Sequence, residues 1–208
     1  MVNATEPVLL VDVDGVLILG RNADRSHWAT DLRRAFGFDK AALREHFFQP
    51  YWADIVTGKD ELMPRLIQAL QAMGSTANAA DLRDYWFAND ALLNEKLLTW
   101  LDRKRNDGYR IMLATNQEHE RANYLVEALG LGAYCDGIHY SAALGVAKPN
   151  ALFFQEISKR EDRPPRDLIF IDDTPANVDA ARRAGLRAVH YTGQSVDQLT
   201  TAIVSGES

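Results

Sequence analysis

The chain of 208 residues carries one cysteine, Cys135, so no internal disulfide and no cysteine-based zinc site can form. That usage fits a reducing compartment, and the cytoplasm is the expected location. No segment approaches the roughly 18 to 20 uninterrupted apolar residues of a membrane span. The first apolar stretch has no basic region before it, and Asp12 and Asp14 interrupt it, so it reads as a buried strand rather than a signal core. Positive charge is also short. With 23 Lys and Arg against 29 Asp and Glu, the net charge of −6 argues against nucleic-acid and anionic-membrane partners, which are held mainly by clustered Lys and Arg. Repeats and low-complexity stretches are missing. His27, His46, His119, His139 and His190 are scattered, with no pair at metal-ligand spacing on one helix.

What is present begins with Val8-Leu9-Leu10-Val11-Asp12-Val13-Asp14-Gly15, an apolar run that drives straight into two carboxylates one residue apart. A short apolar run reads as a strand buried on both faces, and its acidic end places both acids at a carboxyl edge, where open α/β sheets bind ligands. Two aspartates this close repel each other unless a cation or a shared proton relieves them. Judged alone, Asp-Val-Asp-Gly is also compatible with a strand that ends in a polar turn.

Further β-like runs lie at Arg110 to Ala114, Gly137 to Tyr140, Leu168 to Ile171 and Arg187 to His190. They alternate with helical patterns at Glu118 to Leu129, Ala151 to Lys159 and Ala176 to Ala184, as in a parallel α/β sheet. Thr174-Pro175 offers a cap and a first-turn proline, and Gly185 a stop. Ser205-Gly206-Glu207-Ser208 is expected to fray.

Roughly ninety residues separate the first two strands, far more than a crossover needs. Their patterns are helical: Ser26 to Phe36, Lys40 to Phe48, Lys59 to Met73, Ala80 to Phe87 and Ala91 to Arg105, with breaks at Gly37, Pro50, Gly58 and Gly74. The expectation is a Rossmann-like α/β core over residues 1–17 and 106–208 and an inserted all-helical cap over 18–105. Leaving and returning near the end of the first strand, the cap should cover the acidic edge as a substrate lid. Its aromatics, Trp28, Phe47, Phe48, Tyr51, Trp52, Trp86 and Phe87, are core by default. Phe47 to Trp52 is the stretch expected to reach substrate, because Pro50 suggests a turn there.

Three later features fall at strand ends. Thr115-Asn116 supplies a hydroxyl and an amide that can bind an oxyanion ahead of a helix start, or act as a plain helix cap. Lys148-Pro149 places a lysine in a loop, the usual setting of a solvated surface residue. Leu168-Ile169-Phe170-Ile171-Asp172-Asp173 is a second apolar strand running into two acids. Four carboxylates at neighbouring strand ends need a compensating ion, and all-oxygen ligands favour a hard cation such as Mg²⁺. Cys135 reads as a packed thiol, with nothing nearby to lower its pKa.

In this order, Asp12-Val13-Asp14-Gly15-Val16, Thr115-Asn116, Lys148-Pro149 and Asp172-Asp173 resemble the four signature motifs of the haloacid dehalogenase-like hydrolase superfamily. The helical insertion is similar to that family's first cap type. The stretch Ile171 to Gly185 resembles the branch holding sugar-phosphate phosphatases and the phosphatase domain of soluble epoxide hydrolases. The resemblance implies that Asp12 attacks phosphorus, that Asp14 serves as acid and then base, and that Thr115, Asn116, the neighbouring backbone and Lys148 bind the phosphoryl oxygens. It further implies that Asp12, the backbone carbonyl of Asp14 and Asp173 ligate Mg²⁺, with Asp172 supporting them or binding through water.

The implied activity is a Mg²⁺-dependent phosphatase acting on a small phosphorylated metabolite, sugar phosphates among them, as a monomer or homodimer. A dehalogenase is disfavoured, since members of that kind lack the second acid of the first motif. A phosphomutase or phosphotransferase would share every motif. A phospho-accepting signalling receiver has a similar set of residues, but is normally shorter, lacks a large insertion after its first strand, and carries its lysine after its acidic pair and threonine.

Overall fold

The computed structural model describes residues 6–21 and 26–205, with only the backbone of Ser205; residues 206–208 of the expected frayed tail lie outside the described residues. Five strands, β1 (Val8–Val11), β2 (Arg110–Thr115), β3 (Gly137–Tyr140), β4 (Leu168–Asp172) and β5 (Arg187–His190), form a parallel sheet in the order β3-β2-β1-β4-β5. The expected runs match these strands, with β2 and β4 each one residue longer so that Thr115 and Asp172 complete them.

Both faces of the sheet are covered, as a parallel sheet requires. Leu9, Val11, Ile111, Leu113, Ile169 and Ile171 point to one side, where they meet Leu97 and Leu101 of helix Glu95–Asn106 and Leu199 and Ile203 of helix Val196–Ser205. Their neighbours Val8, Leu10, Met112, Ala114, Leu168 and Phe170 point to the other side, onto Phe153, Phe154 and Ile157 of helix Ala151–Glu161 and Val178 and Ala181 of helix Pro175–Arg183. This period-two sorting is the pleat expressed as packing.

After β1 the chain turns at Gly15, whose φ of +80° suits a residue without a side chain. The outgoing and returning segments of the insertion then pair: Leu19 N–H donates to Leu92 O at 2.8 Å, and Leu92 N–H to Gly20 O at 2.9 Å. Beyond this stem the insertion has its own apolar cluster, including Leu32, Phe47, Ile55, Leu66 and Leu82, distinct from the two clusters on the sheet.

Two expectations about the insertion are corrected. Helix Glu95–Asn106 falls, but for its last residue, in the expected cap range of 18–105, yet Leu97, Leu98, Trp100 and Leu101 belong to the sheet's cluster, so this helix is a layer of the core. Helical periodicity shows that a face is buried but not against which partner. Pro50 does not break its helix either: Lys40–Leu43, a wider turn over Arg44–Phe48, and Gln49–Ile55 follow without interruption. Proline lacks an N–H and crowds the carbonyl four residues back, and the π-type turn just before it changes the hydrogen-bond pattern where the donor is missing. Phe47 to Trp52 is therefore helix, not turn.

Candidate active site at the carboxyl edge of the sheet

Val11 is level with Leu113 of β2 and Ile171 of β4 in the central strand. Asp12, the next residue, is consequently delivered between the ends of both neighbours, and its N–H continues the ladder to Ile171 O at 2.9 Å. Asp12, Asp14, Thr115, Asn116, Lys148 and Asp173 line one cleft of about 380 Å³, with Gly15, Thr174 and Asn177. Asp172 lies directly beneath it, fully buried. The acids, threonine, asparagine and lysine of the four motifs thus meet at one place.

Lys148 is buried there and stands at the centre of the charge arrangement. Its Nζ lies 2.7 Å from Asp12 Oδ1, 2.6 Å from Asp172 Oδ2 and 3.0 Å from Ala114 O. An ammonium has three N–H groups, so these contacts use all of them. Lys148 therefore acts across the cleft as fixed positive charge and as the clamp that aims Asp12, rather than as a free donor.

Asn116 holds that lysine. Its Oδ1 accepts from Lys148 N–H at 2.8 Å and its Nδ2 donates to Lys148 O at 3.0 Å. The carboxamide expected to bind an oxyanion is thus engaged with the Lys148 backbone. Asp172 is similarly engaged: besides Lys148, it accepts from Thr174 N–H at 2.8 Å and from Asn177 Nδ2 at 3.0 and 3.1 Å. His190 Nε2 lies 2.9 Å from Asp173 O and steadies the following residue.

One lysine does not balance these acids. Burial pushes the Asp12 pKa up to about 7; Lys148 pulls against it, while Asp172 and Asp14 add to it. Burial alone would lower Lys148, but Asp12 and Asp172 lift it above its ordinary value. Asp173 is raised by burial and by Asp172 beside it. Asp14 is exposed in the cleft, and desolvation by the surrounding walls, with nearby Asp90, pushes its pKa up to about 6.

Carboxylate oxygens of Asp12, Asp172 and Asp173 lie within 4.8 Å of one another. The donors are all hard oxygens, and the backbone closes tightly over them, since a Cβ at Gly15 would stand 2.0 Å from Asp173 Oδ2. An under-compensated, all-oxygen acidic cluster suits a small divalent cation such as Mg²⁺.

Sequence reasoning missed the surroundings of Asp14. Gln117, buried, donates from Nε2 to Asp14 Oδ2 at 2.6 Å. Arg121, also buried, contributes positive charge toward Asp14 while it donates to the Phe87 and Asp90 carbonyls. Gln117 follows Thr115-Asn116 by one residue, the only local signal it offered. Arg121 and Asp90 come from segments that only tertiary structure brings together.

The family model for haloacid dehalogenase-like hydrolases matches residues 7–185. Among curated proteins, the chain is 37% identical over 68 residues to a sesquiterpene phosphatase of Aspergillus oryzae, a match covering 33% of each. The match thus spans about a third of that relative. Its backbone superposes with a TM-score of 0.74 on a HAD family enzyme of Bacteroides thetaiotaomicron solved with magnesium and inorganic phosphate, at 19% identity over 93% of this chain and 98% of that one. It also resembles L-2-haloacid dehalogenase from Xanthobacter autotrophicus, with a TM-score of 0.64 at 18% identity, over 97% and 84% of the two chains. At such identities the likeness is one of fold. Among the described residues no helix is long and apolar enough to cross a membrane. With the family match running through all four strand-end motifs, the chain belongs to the haloacid dehalogenase-like hydrolases.

Proposed function

We propose that the protein is a Mg²⁺-dependent phosphatase that hydrolyses a small phosphomonoester through an aspartyl-phosphate on Asp12. The observation that carries this reading is Asp12 held by Lys148 at 2.7 Å, at the mouth of a cleft where Asp14 stands as a second, separately tuned carboxyl. Support also comes from the phosphatase relative and from the Bacteroides enzyme's complex with magnesium and phosphate. Asp12, the Asp14 main chain and Asp173 would hold the metal, with Asp172 behind them. Bound there, Mg²⁺ would keep Asp12 ionised and offset the repulsion between its carboxylate and the phosphoryl oxygens.

In the first half-reaction an Asp12 carboxylate oxygen forms a bond to phosphorus as the bond to the leaving oxygen breaks. Asp14 gives that oxygen its proton. Water then attacks phosphorus, Asp14 takes its proton back, and the Asp12–phosphorus link opens to release phosphate. A pKa near 6 suits a group that must both give and take a proton near neutrality. Thr115 and the adjoining main chain would hold the phosphoryl oxygens, and Lys148 would supply charge through Asp12.

Phosphate release from a panel of phosphomonoesters, with and without Mg²⁺, tests this. Metal-dependent release is expected, and Asp12→Asn should lower it at least about a thousandfold. No turnover of any ester by folded, Mg²⁺-loaded protein would overturn the reading.

A further inference from the structure

The catalytic cleft shares Asp14 and Gly15 with a second cavity of about 750 Å³ beneath the cap. Volumes of roughly 300–1,000 Å³ are usual for small-molecule sites. Its wall is made by Ile18, Leu43, Trp28, Phe48, Trp52 and Trp86. The four aromatic rings lie against one another: Trp28 stacks on Trp86 at 5.0 Å between centroids, Phe48 and Trp52 each meet Trp86 at 5.6 Å, and Phe48 meets Trp52 at 5.4 Å. They form a continuous apolar wall, not separate rings standing around a central cation.

Several of the polar groups at this cavity are already engaged. Asp14 accepts from Gln117, Asp90 faces Arg121 at 3.7 Å, and His27 Nδ1 accepts from Ala29 N–H at 3.1 Å. Lys40 and Arg44, exposed and one helical turn apart, also line the cavity. A polyhydroxylated leaving group placed against this wall would lose water from several hydroxyls and find few partners, which binding sites penalise heavily. A hydrocarbon or aryl group loses only unfavourable contact with water.

We infer that the leaving group is apolar: the substrate is the phosphomonoester of a hydrocarbon or aryl alcohol, seated on the Trp28–Phe48–Trp52–Trp86 wall with its phosphate at Asp12. This inference rests on the phosphatase reading and narrows it, placing sugar phosphates outside the preferred class.

A homologous series of n-alkyl phosphates from ethyl to octyl, with Mg²⁺, tests it beside glucose 6-phosphate, phosphocholine and hexane-1,6-diyl bisphosphate. The value of kcat/KM should rise about fourfold for each methylene covered by the wall, and octyl phosphate should exceed all three polar esters. Trp52→Ser and Phe48→Ser should each flatten that slope. Independently of turnover, octylphosphonate should shift the tryptophan emission at lower concentration than ethylphosphonate does. Turnover with a flat chain-length dependence, or with glucose 6-phosphate, phosphocholine or the bisphosphate ahead, overturns the apolar assignment and leaves the phosphatase standing. Absence of turnover together with equal phosphonate affinities overturns both.

Discussion

Two adjoining cavities share Asp14 and Gly15 and otherwise have opposite characters. The one at the sheet edge is smaller and charged, and Lys148, Asn116 and Asp172 are each held there by several partners. The one under the cap is about twice the size and walled largely by aromatic rings that pack against one another. Bond-making needs groups fixed to within a fraction of an ångström, and parallel strands in register provide that. Accommodation of a leaving group needs shape and area, which helices packed around their own cluster provide. The division suggests that damage to the first cavity should affect all substrates alike, and damage to the second should change their ranking.

The largest effect should come from Lys148→Met. It leaves Asp12 and Asp172 buried without their shared cation, so activity should fall at least about a thousandfold for every ester, and stability by about 3 kcal/mol in urea unfolding. A substrate-selective loss would break the comparison. Next comes Gly15→Ala. Its new Cβ would collide with Asp173 Oδ2, and φ there is +80°, so Mg²⁺ affinity measured by calorimetry should drop about 10- to 100-fold.

Gln117→Leu should act more mildly, lowering kcat about tenfold. The Gln117 hydrogen bond favours ionised Asp14, so its removal should carry the Asp14 ionisation upward from about 6. In the pH profile, the limb governed by protonated Asp14 should extend to higher pH, and a shift to lower pH would contradict the assignment. Smallest of all should be Arg83→Ala, which removes a 2.8 Å ion pair between cap and core at Glu120. Both partners are partly solvated, so the stability change should stay within about 0.5 kcal/mol.

Strands β1, β2 and β4 were legible because each carries a short apolar run that ends in a polar residue, and length together with the flanking residues separates such a run from a helix; β3 and β5 are mixed and were legible from their alternation with helical patterns. Asp12, Asp14, Thr115, Lys148 and Asp173 were legible because strand ends collect at one edge, so the motifs identify the place as well as the residues. Asn116 was read as a phosphate ligand because spacing shows proximity and not hydrogen-bond direction; its side chain proved to hold Lys148. The aromatic wall was only partly anticipated. Phe48 and Trp52 fall within the suspected stretch, but Trp28 and Trp86 come from distant segments, and nothing local distinguishes a ring facing a cavity from Phe47, which is fully buried. Helix Val196–Ser205 escaped notice although Ser195 and Gln198 cap each other at its start.

The stem at Leu19, Gly20 and Leu92 has a bearing on how such a protein can diversify. Its outgoing and returning segments are fastened to each other just outside the catalytic edge, so the chain beyond them is a loop closed at its own base. Lengthening, shortening or replacing that loop leaves the spacing of Asp12 and Asp14 relative to the sheet untouched. One hydrolytic centre can in this way be fitted to new leaving groups by exchanging what hangs from the stem.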